Sequence, residues 1–569
     1  MCKAVLLAIS AKYVHSPLAV WVIAAGVSKF ARLPHEVVIV EAAIQQSAAG
    51  IADRVAEHSP DVVGISAYIW NAALLPEILD ELREKLPGAV ITLGGPEAAH
   101  NAEYWHTKGA DLVLIGEGEY EFPALLDKLS ANDSTPNKIK TQNHQFSNIN
   151  PIKPTPKHQH KASNSHLSSL LSQLSSCAFE ESAPPPPADP YSKAYLETLS
   201  GRIAYLETSR GCPFTCGFCL SAGTGVRYFP LDMVKGQIDK LAKSGPRTIK
   251  LVDRTFNCNA GRAFELFEYI VGLDTDCRFH FEVAADLFES RAIKLLASAP
   301  PGRIQLETGL QSFFKPALEA ASRKTDLEKS ERNIKTLLKG GNIHIHVDLI
   351  AGLPYETYND FIGSFSRAYA LGAHTLQLGF LKLLHGSKLR ERAGELGIRY
   401  SEEPPYAIIS SPWLSEDDLE ALRQAENALQ HTYNKCRFLT TLEYVMAASG
   451  LLPYSLFHAL GGAAPNRGTQ LEIYAGQLYN FFSGLPGVEE DKLRDHMVCD
   501  WLGMVKGKNM PGCLKSHEGR PGRAASEAEK YLGRKPGRGE AAILHSGKTV
   551  VVDSETRNPV TSLYKLHII

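Results

Sequence analysis

The 569-residue sequence carries almost no excess charge: 60 Lys and Arg stand against 62 Asp and Glu, a formal net charge of −2. That balance argues against a protein that holds a polyanion over its whole surface, although a local basic patch would escape the sum. Cysteine is scarce at ten residues, too few in so long a chain for a disulfide scaffold. Long apolar runs are missing as well. The longest early stretch, Leu18 to Val27, falls well short of the ~18 residues that a spanning helix needs. Met1-Cys2-Lys3 leads straight into the apolar run Ala4 to Ile9 without a cleavage pattern, so no secretory signal is expected. What is present is ordinary globular material, 44% hydrophobic and 21% charged, enough for sizeable cores in about three or four domains of roughly 150 residues each. A cytoplasmic protein with reduced thiols and no membrane partner is the base expectation. The cysteines then need a use.

Residues 1–130 alternate apolar runs (Ala4–Ile9, Val37–Val40, Asp61–Ser66, Ala89–Leu93, Leu112–Ile115) with amphipathic segments such as Leu18–Phe30 and Ala72–Lys85. Strands separated by helices predict βαβ units on a parallel sheet, a doubly wound α/β domain. Over residues 131–190 the composition changes abruptly. Ser, Pro, Asn, Gln and His fill 33 of the 60 positions, glycine is lacking, and Pro184–Pro187 is an unbroken proline run. Such a stretch buries too little apolar surface to offset the entropy of ordering, which predicts a disordered linker over 131–193, with one apolar patch at Leu167–Leu174. A poorly packed insertion loop would look nearly the same.

Between 194 and 400 the alternation resumes, with strand candidates at Ile203–Glu207, Thr248–Val252, Phe279–Val283, Ile304–Glu307, His344–Ile350 and Thr375–Gly379. Their spacing fits a parallel α/β barrel of the TIM type, complete or partial, whose chemistry would sit at the carboxyl ends of the strands. Residues 401–569 read as mostly helical, with helices expected over Ser415–Gln430 and Leu442–Leu460 and a final strand at Thr549–Val552. Between Val505 and Glu540 nine basic side chains face four acidic ones.

The decisive segment follows the first barrel strand: Glu207-Thr208-Ser209-Arg210-Gly211-Cys212-Pro213-Phe214-Thr215-Cys216-Gly217-Phe218-Cys219. A loop of this length wraps three thiolates around one metal assembly, and Gly211, Pro213 and Gly217 supply its bends. Structural zinc asks for four closed ligands. Three cysteines without a fourth nearby suit a 4Fe–4S cluster that leaves one iron open to another ligand. The other seven cysteines show no ligand spacing.

Cys-x3-Cys-x2-Cys with an aromatic before the last cysteine resembles the cluster motif of radical S-adenosylmethionine enzymes. The resemblance implies that the open iron is chelated by S-adenosylmethionine and that the cofactor is cleaved to methionine and a 5′-deoxyadenosyl radical, with Phe218 beside the adenine. It also implies an external electron donor of the flavodoxin or ferredoxin type. The Gly-Gly-Glu turn that many members carry after the second strand is absent from Lys250-Leu251-Val252-Asp253-Arg254-Thr255-Phe256, so Asp253 or Arg254 is expected to take its place toward the methionyl amino group. Glu282, in Phe281-Glu282-Val283, resembles the residue that reads the ribose, although a glutamate at a solvated strand end explains it too. Gln311, in Glu307-Thr308-Gly309-Leu310-Gln311-Ser312, resembles the fourth-strand segment of the branch holding coproporphyrinogen dehydrogenases and methylthiotransferases. Gly352, in Asp348-Leu349-Ile350-Ala351-Gly352-Leu353-Pro354, resembles the fifth-strand turn near the adenine, where a plain turn serves equally.

The first domain resembles the Rossmann-like cobalamin-binding domain that precedes many such barrels, on Val62-Val63-Gly64-Ile65-Ser66, Leu93-Gly94-Gly95-Pro96 and Gly116-Glu117-Gly118-Glu119. Ser66, Gly94 and Gly95 would then line the cobalamin tail at the strand ends; a strand-ending turn accounts for the glycine pair as well. The Asp-x-His-x-x-Gly loop of the methionine-synthase type survives only as His15 in Lys12-Tyr13-Val14-His15-Ser16-Pro17, either a cobalt ligand or a hydrogen-bonded loop histidine. Three parts are therefore expected: a cobalamin-binding domain over 1–130, a radical barrel over 194–400 and a C-terminal region over 401–569 that resembles an uncharacterised extension of one subgroup. The implied activity is methyl transfer, or a related radical modification, on a small-molecule or otherwise undetermined substrate. No side chain stands out as its acid or base. A methylthiotransferase acting on RNA is the alternative within enzymes; those proteins carry a second three-cysteine cluster in the first domain, and Cys2 is alone before residue 177. Nucleic acid is disfavoured on this count and on net charge. A non-catalytic iron–sulfur or electron-transfer protein is the alternative outside enzymes.

Overall fold

The computed structural model describes residues 2–132, 184–515 and 521–569; most of the expected linker and its Leu167–Leu174 patch lie outside the described residues. The chain divides into two compact units, Met1–Tyr205 and Leu206–Ile569.

In the first unit, β1 (Lys3–Ser10), β2 (Glu36–Ala43), β3 (Val62–Ser66), β4 (Val90–Gly94) and β5 (Leu112–Leu114) form a parallel sheet in the order β2-β1-β3-β4-β5. This is the flavodoxin-like doubly wound order, whose direction of winding reverses between β1 and β3. Apolar strands such as Val62–Ser66 are buried along their whole length because helices cover both faces. Ile51, Val55, Ile78 and Leu82 pack on one face, Val20, Val27, Phe122 and Leu126 on the other.

The described chain resumes at Pro184. Pro187, Ala188, Pro190 and Tyr191 are buried, the Tyr191 hydroxyl donates to the Tyr205 carbonyl at 2.9 Å, and the Tyr120 hydroxyl donates to the carbonyl of Pro185. Ser192 then caps the short helix Lys193–Glu197. Composition reads these residues as linker, yet prolines with a preset φ lose little entropy on ordering and so pack despite it.

The second unit begins within β6 (Ile203–Leu206) and continues with β9 (Thr248–Leu251), β10 (Arg278–Val283), β11 (Ile304–Gln311), β12 (His344–Ala351) and β13 (Thr375–Phe380), with a small antiparallel hairpin, β7 (Ser209–Cys212) and β8 (Gly225–Tyr228), set between the first two strands. The six strands make one sheet in sequence order, β6-β9-β10-β11-β12-β13, parallel from β9 onward. All six expected strands are present. Sequential neighbours with crossover helices give a partial α/β barrel, since β6 and β13 are edges and do not pair with each other.

Burial alternates strictly along β10, β11 and β12. Phe279, Phe281, Ile304, Leu306, Ile345 and Val347 pack against the helices, and the intervening residues face the lumen.

Beyond β13, β14 (Arg399–Tyr400) pairs with β15 (Ile408–Ser410), and helices follow. Ser415 closes a capping box on Glu416–His431. The helix expected over Leu442–Leu460 is two, Leu439–Ser449 and Pro453–Ala463, because Gly450 turns left-handed at φ +71° and Pro453 starts afresh. The last strand is the middle of a three-stranded antiparallel sheet, β16 (Ala541–Ile543), β17 (Thr549–Arg557) and β18 (Tyr564–Ile568). No helix among the described residues is long and apolar enough to cross a membrane.

Candidate active site

Of the three spaced cysteines, Cys212 ends β7, and Cys216 and Cys219 follow on the loop that joins β7 to β8. Gly211 starts it at φ +102°, where a Cβ would lie 1.9 Å from the Gly225 carbonyl oxygen, so only glycine lets the two strands approach. Cys212 N donates to Thr224 Oγ1 at 3.1 Å, and Gly223 N to the Phe214 carbonyl at 2.7 Å. Cys219 N donates to the Cys216 carbonyl at 3.1 Å, which places these two thiols on one turn. The loop is also held from outside, with Gly217 N donating to the Ala321 carbonyl at 2.8 Å and Leu389 N to the Gly217 carbonyl at 2.9 Å. Cys212 and Cys216 are buried and Cys219 is half-buried.

None of the three thiols is in a disulfide. Burial pushes the Cys219 thiol up, Arg254 opposes it, and the neighbouring Cys216 and Cys212 push it up further. Three thiolates this close repel one another unless a positive group stands among them, which is the setting a bound metal cluster provides. Cluster thiolates bind different irons and need not converge as the ligands of a single ion do. The donor chemistry and the clamped loop fit a 4Fe–4S cluster.

Two residues next to the loop carry no sequence signal. Arg323, just past the short helix Lys315–Ala320 that follows β11, donates to Cys216 Sγ at 3.6 Å and to the Gly309 carbonyl at 2.8 Å. Cys258 feels the Cys212 side of the loop: burial and Cys212 push the Cys258 thiol up, while its contact with the Tyr228 hydroxyl at 3.3 Å counters this.

The lumen is polar. Lys250 Nζ lies 3.3 Å from Glu282 Oε1 and 3.1 Å from Glu307 Oε2, and His280 Nε2 lies 2.7 Å from the same Glu307 oxygen. Burial disfavours the Glu307 carboxylate, but the His280 hydrogen bond and the Lys250 charge outweigh it and hold the group well below the usual range. Glu282 moves the other way, raised by burial and by Glu307 against the pull of Lys250. His346 Nε2 and Asp348 Oδ1 stand 2.9 Å apart without hydrogen-bond alignment to any partner. Glu307, His346 and Asp348 offer ligand atoms within 4.8 Å of one another, but the Lys250 ammonium already supplies the cation beside Glu307. At the bottom of the lumen His344, 5.0 Å from the stacked His374 ring, is pushed down to about 3 by burial and by neighbouring histidines.

The residues singled out from the sequence divide. Glu282 and Gln311 lie on the lumen face of their strands. Gln311 closes β11 at φ +69°, a conformation a non-glycine residue rarely takes, across a bulge against β12. Its Oε1 is buried without a partner, and Gly309 makes room for it, since a Cβ there would lie 1.9 Å from Gln311 Nε2.

Asp253 has a different task from the one expected. It is buried, and it accepts Thr208 N at 3.0 Å, Thr208 Oγ1 at 2.7 Å and Ser209 Oγ at 2.5 Å. Its oxygens are spent tying the end of β9 to the start of the cysteine hairpin, so the exposed Arg254 is the one of the pair left for a ligand. Gly352 sits at φ +98°, a backbone conformation that favours glycine, with the Ile408 side chain 2.8 Å from where a Cβ would lie. Phe218 is half-buried on the cysteine loop.

In the first unit, Ser66 and Gly94 are register partners at the carboxyl ends of β3 and β4. Gly95 follows at φ +98°, with a Cβ position 2.7 Å from the Ala67 carbonyl oxygen. His15 is held in its loop: Nδ1 lies 2.6 Å from the Tyr205 hydroxyl, and its carbonyl accepts from Arg202 at 2.7 Å. Around the same sheet end stand large exposed apolar side chains that the sequence did not mark: Tyr13, Trp70 and Ile115, the first 75% exposed. Trp70 stacks on Tyr68 with ring centroids 4.2 Å apart.

Comparison with known proteins follows the same division. The B12 binding domain family matches residues 4–126, the radical SAM superfamily residues 206–368, and a family described as a protein of unknown function, DUF4080, residues 394–535. The 2-(S-pantetheinyl)-carbapenam-3-carboxylate methyltransferase of Streptantibioticus cattleyicolor is 24% identical over 57% of this chain and 46% of its own length. The cobalamin-dependent radical SAM methyltransferase TokK of Streptomyces tokunonensis is 23% identical over 68% of this chain and 55% of its own length. The chain thus spans about half the length of these curated relatives. Among solved structures, the cobalamin-dependent S-adenosylmethionine radical enzyme OxsB, with aqua-cobalamin and S-adenosylmethionine bound, shares the fold at a TM-score of 0.54 and 13% identity, covering 88% of this chain and 78% of its own.

Proposed function

We propose that this chain, a member of the radical SAM superfamily with an N-terminal B12 binding domain, is an enzyme that cleaves S-adenosylmethionine at a cluster on Cys212, Cys216 and Cys219 and uses cobalamin to methylate a small molecule. The observation that carries the reading is the clamped loop of three unbridged thiols at the mouth of a polar-lined partial barrel. When bound, the cluster supplies the electron that breaks a carbon–sulfur bond of S-adenosylmethionine, drawn from a flavodoxin or ferredoxin type of donor.

The chain's own groups orient the cofactor. The Arg323 guanidinium, anchored between Cys216 and Gly309, is placed to pair with a carboxylate, and Arg254 brings a second positive charge to Cys219. Glu282, steadied by Lys250, accepts hydroxyl donors such as those of a ribose. The unpaired Oε1 of Gln311 takes a further donor. In the first unit, Ser66, Gly94 and Gly95 would hold the nucleotide tail of a cobalamin, and Tyr13, Trp70 and Ile115 would offer apolar contacts to its macrocycle. His15 stands in the loop after β1 as a support of that site.

RNA is a poorer substrate for this reading. Part of the basic charge after Val505 is paired within the chain: Arg534 pairs with Glu540 and Glu555, Arg523 with Glu527 and Lys508 with Glu472. Reduced thiols that hold an open cluster suit a cytoplasmic setting.

Anaerobic reconstitution tests the reading. The unmodified protein is expected to gain iron, absorbance near ~400 nm as for a thiolate-ligated cluster, and dithionite-dependent formation of 5′-deoxyadenosine. Cys212→Ala, Cys216→Ala and Cys219→Ala each lose all three. Full iron content in the three variants, or an intact cluster that yields no 5′-deoxyadenosine, overturns it.

A further inference from the structure

A carboxyl group with no part in the site described above is buried behind it. Glu356, in the turn after β12, is 0% exposed. Its Oε1 accepts Ser312 Oγ at 2.5 Å and Ser364 Oγ at 2.9 Å, and its Oε2 is buried without a partner. Each serine is also tied to the backbone just past β11. Phe314 N donates to Ser312 Oγ at 2.8 Å, and Phe313 N donates to Ser364 Oγ at 3.0 Å.

One carboxyl oxygen therefore joins three segments: the exit of β11, the turn after β12 and the helix Tyr358–Tyr369. A buried carboxyl with an unmatched oxygen is costly, and apolar side chains would fill the same space at less expense. The knot is built for what it constrains. The residue before Ser312 is Gln311, whose left-handed backbone and unpartnered lumen-facing oxygen need outside support to persist.

We propose that Glu356 is a positioning residue: through Ser312 and Ser364 it holds Gln311 in its left-handed conformation and so aims the Gln311 carboxamide at the ligand in the barrel mouth. This rests on the reading that the ligand is S-adenosylmethionine. Charge state enters through the strength of the knot. Burial pushes the Glu356 carboxyl up to about 7; the hydroxyls of Ser312 and Ser364 favour the charged form, and Asp360 opposes it. These two serines and Asp360, itself held in the cap of the helix Tyr358–Tyr369, are the groups that act on it among the described residues. The ionised form accepts both hydroxyls more strongly, so the knot tightens as pH rises through 7 and loosens below.

The test uses the full-length reconstituted holoenzyme and its dissociation constant for S-adenosylmethionine, read from the perturbed spectrum of the reduced cluster between pH 6 and 8.5. Unmodified protein is expected to bind tighter at the alkaline end by about tenfold, the equivalent of one pKa unit. E356Q keeps its iron, binds more weakly at pH 8 and loses the pH dependence. In a Q311A background E356Q has no further effect, because the residue it positions is gone. Ser312→Ala, which removes one tie and no charge, repeats the weakening if E356Q folds poorly. An E356Q holoenzyme with the unmodified pH profile, or one that weakens binding equally with and without Gln311, overturns the proposal alone. A loaded cluster in unmodified protein that binds no S-adenosylmethionine overturns the functional reading and this proposal with it.

Discussion

The two parallel sheets of this protein use their faces in opposite ways. The first, from Lys3 to Leu114, is covered by helices on both sides, so its strands are apolar and its only place for chemistry is the row of loops at the strand ends. The second is covered on one side, and its other face carries Lys250, His280, Glu282, Glu307, His346 and Asp348. Closed barrels of this class fill the interior with branched aliphatic layers. A partial barrel with ionisable groups in that place has given up core packing for a site that extends along the strands. The first unit offers a rim and the second a lined cleft.

The contrast breaks if the lumen charges are not coupled. Lys250→Met removes the one ammonium between Glu282 and Glu307, leaving two carboxylates facing each other in a half-buried space. Loss of one partner of a buried pair costs about 3–5 kcal/mol, a figure the 27% exposure of the Lys250 side chain places toward its lower end. Ile65→Val in the first sheet, a single methylene from a packed core, costs about 0.5–1.5 kcal/mol. Denaturant unfolding of the full chain compares them directly. A Lys250→Met cost no larger than that of Ile65→Val removes the claim that the lumen is an electrostatic unit.

A smaller effect sharpens what the strand ends of the first sheet do. Gly95→Ala forces a Cβ to within 2.7 Å of the Ala67 carbonyl oxygen at φ +98° and costs about 1–3 kcal/mol. Gly94→Ala meets nothing nearer than 3.9 Å and is expected to leave stability within about 0.5 kcal/mol. If Gly94 admits a ligand, its alanine variant loses cobalamin on purification while its unfolding midpoint stays. Equal cobalamin retention in Gly94→Ala and unmodified protein makes the glycine pair a turn and nothing more.

How much of this could be read in advance follows from distance along the chain. The cysteine triplet is legible because its ligands fall within eight residues and the spacing alone restricts the chemistry. The six barrel strands are legible because each is a local apolar run. Lys250, His280 and His346 are not singled out, because only the strand register brings Lys250 against Glu307, 57 residues away. Arg323 reaches Cys216 across 107 residues. A faint signal exists for the lumen: polar residues at every second position, as in His344, His346 and Asp348, are out of place in a sheet buried on both faces. Motif position offers Asp253 or Arg254 to the cofactor, and motif position does not say which way the Asp253 side chain turns. It turns inward to Thr208 and Ser209.

The smallest expected effect tests the rim. Ile115 follows β5 and is 65% exposed, so folding gains little from it. Ile115→Ser removes apolar surface that water already reaches, and the unfolding free energy is expected to change by less than about 0.5 kcal/mol. A macrocycle resting on that rim does gain from the side chain, since apolar burial is worth roughly 25 cal/mol per Å², and the variant should release cobalamin several-fold faster in a dilution assay followed by absorbance. A change in stability without a change in release would place Ile115 among the packing residues of the first sheet. Faster release at unchanged stability keeps the strand ends as a working surface of that unit, in contrast to the lined face of the second.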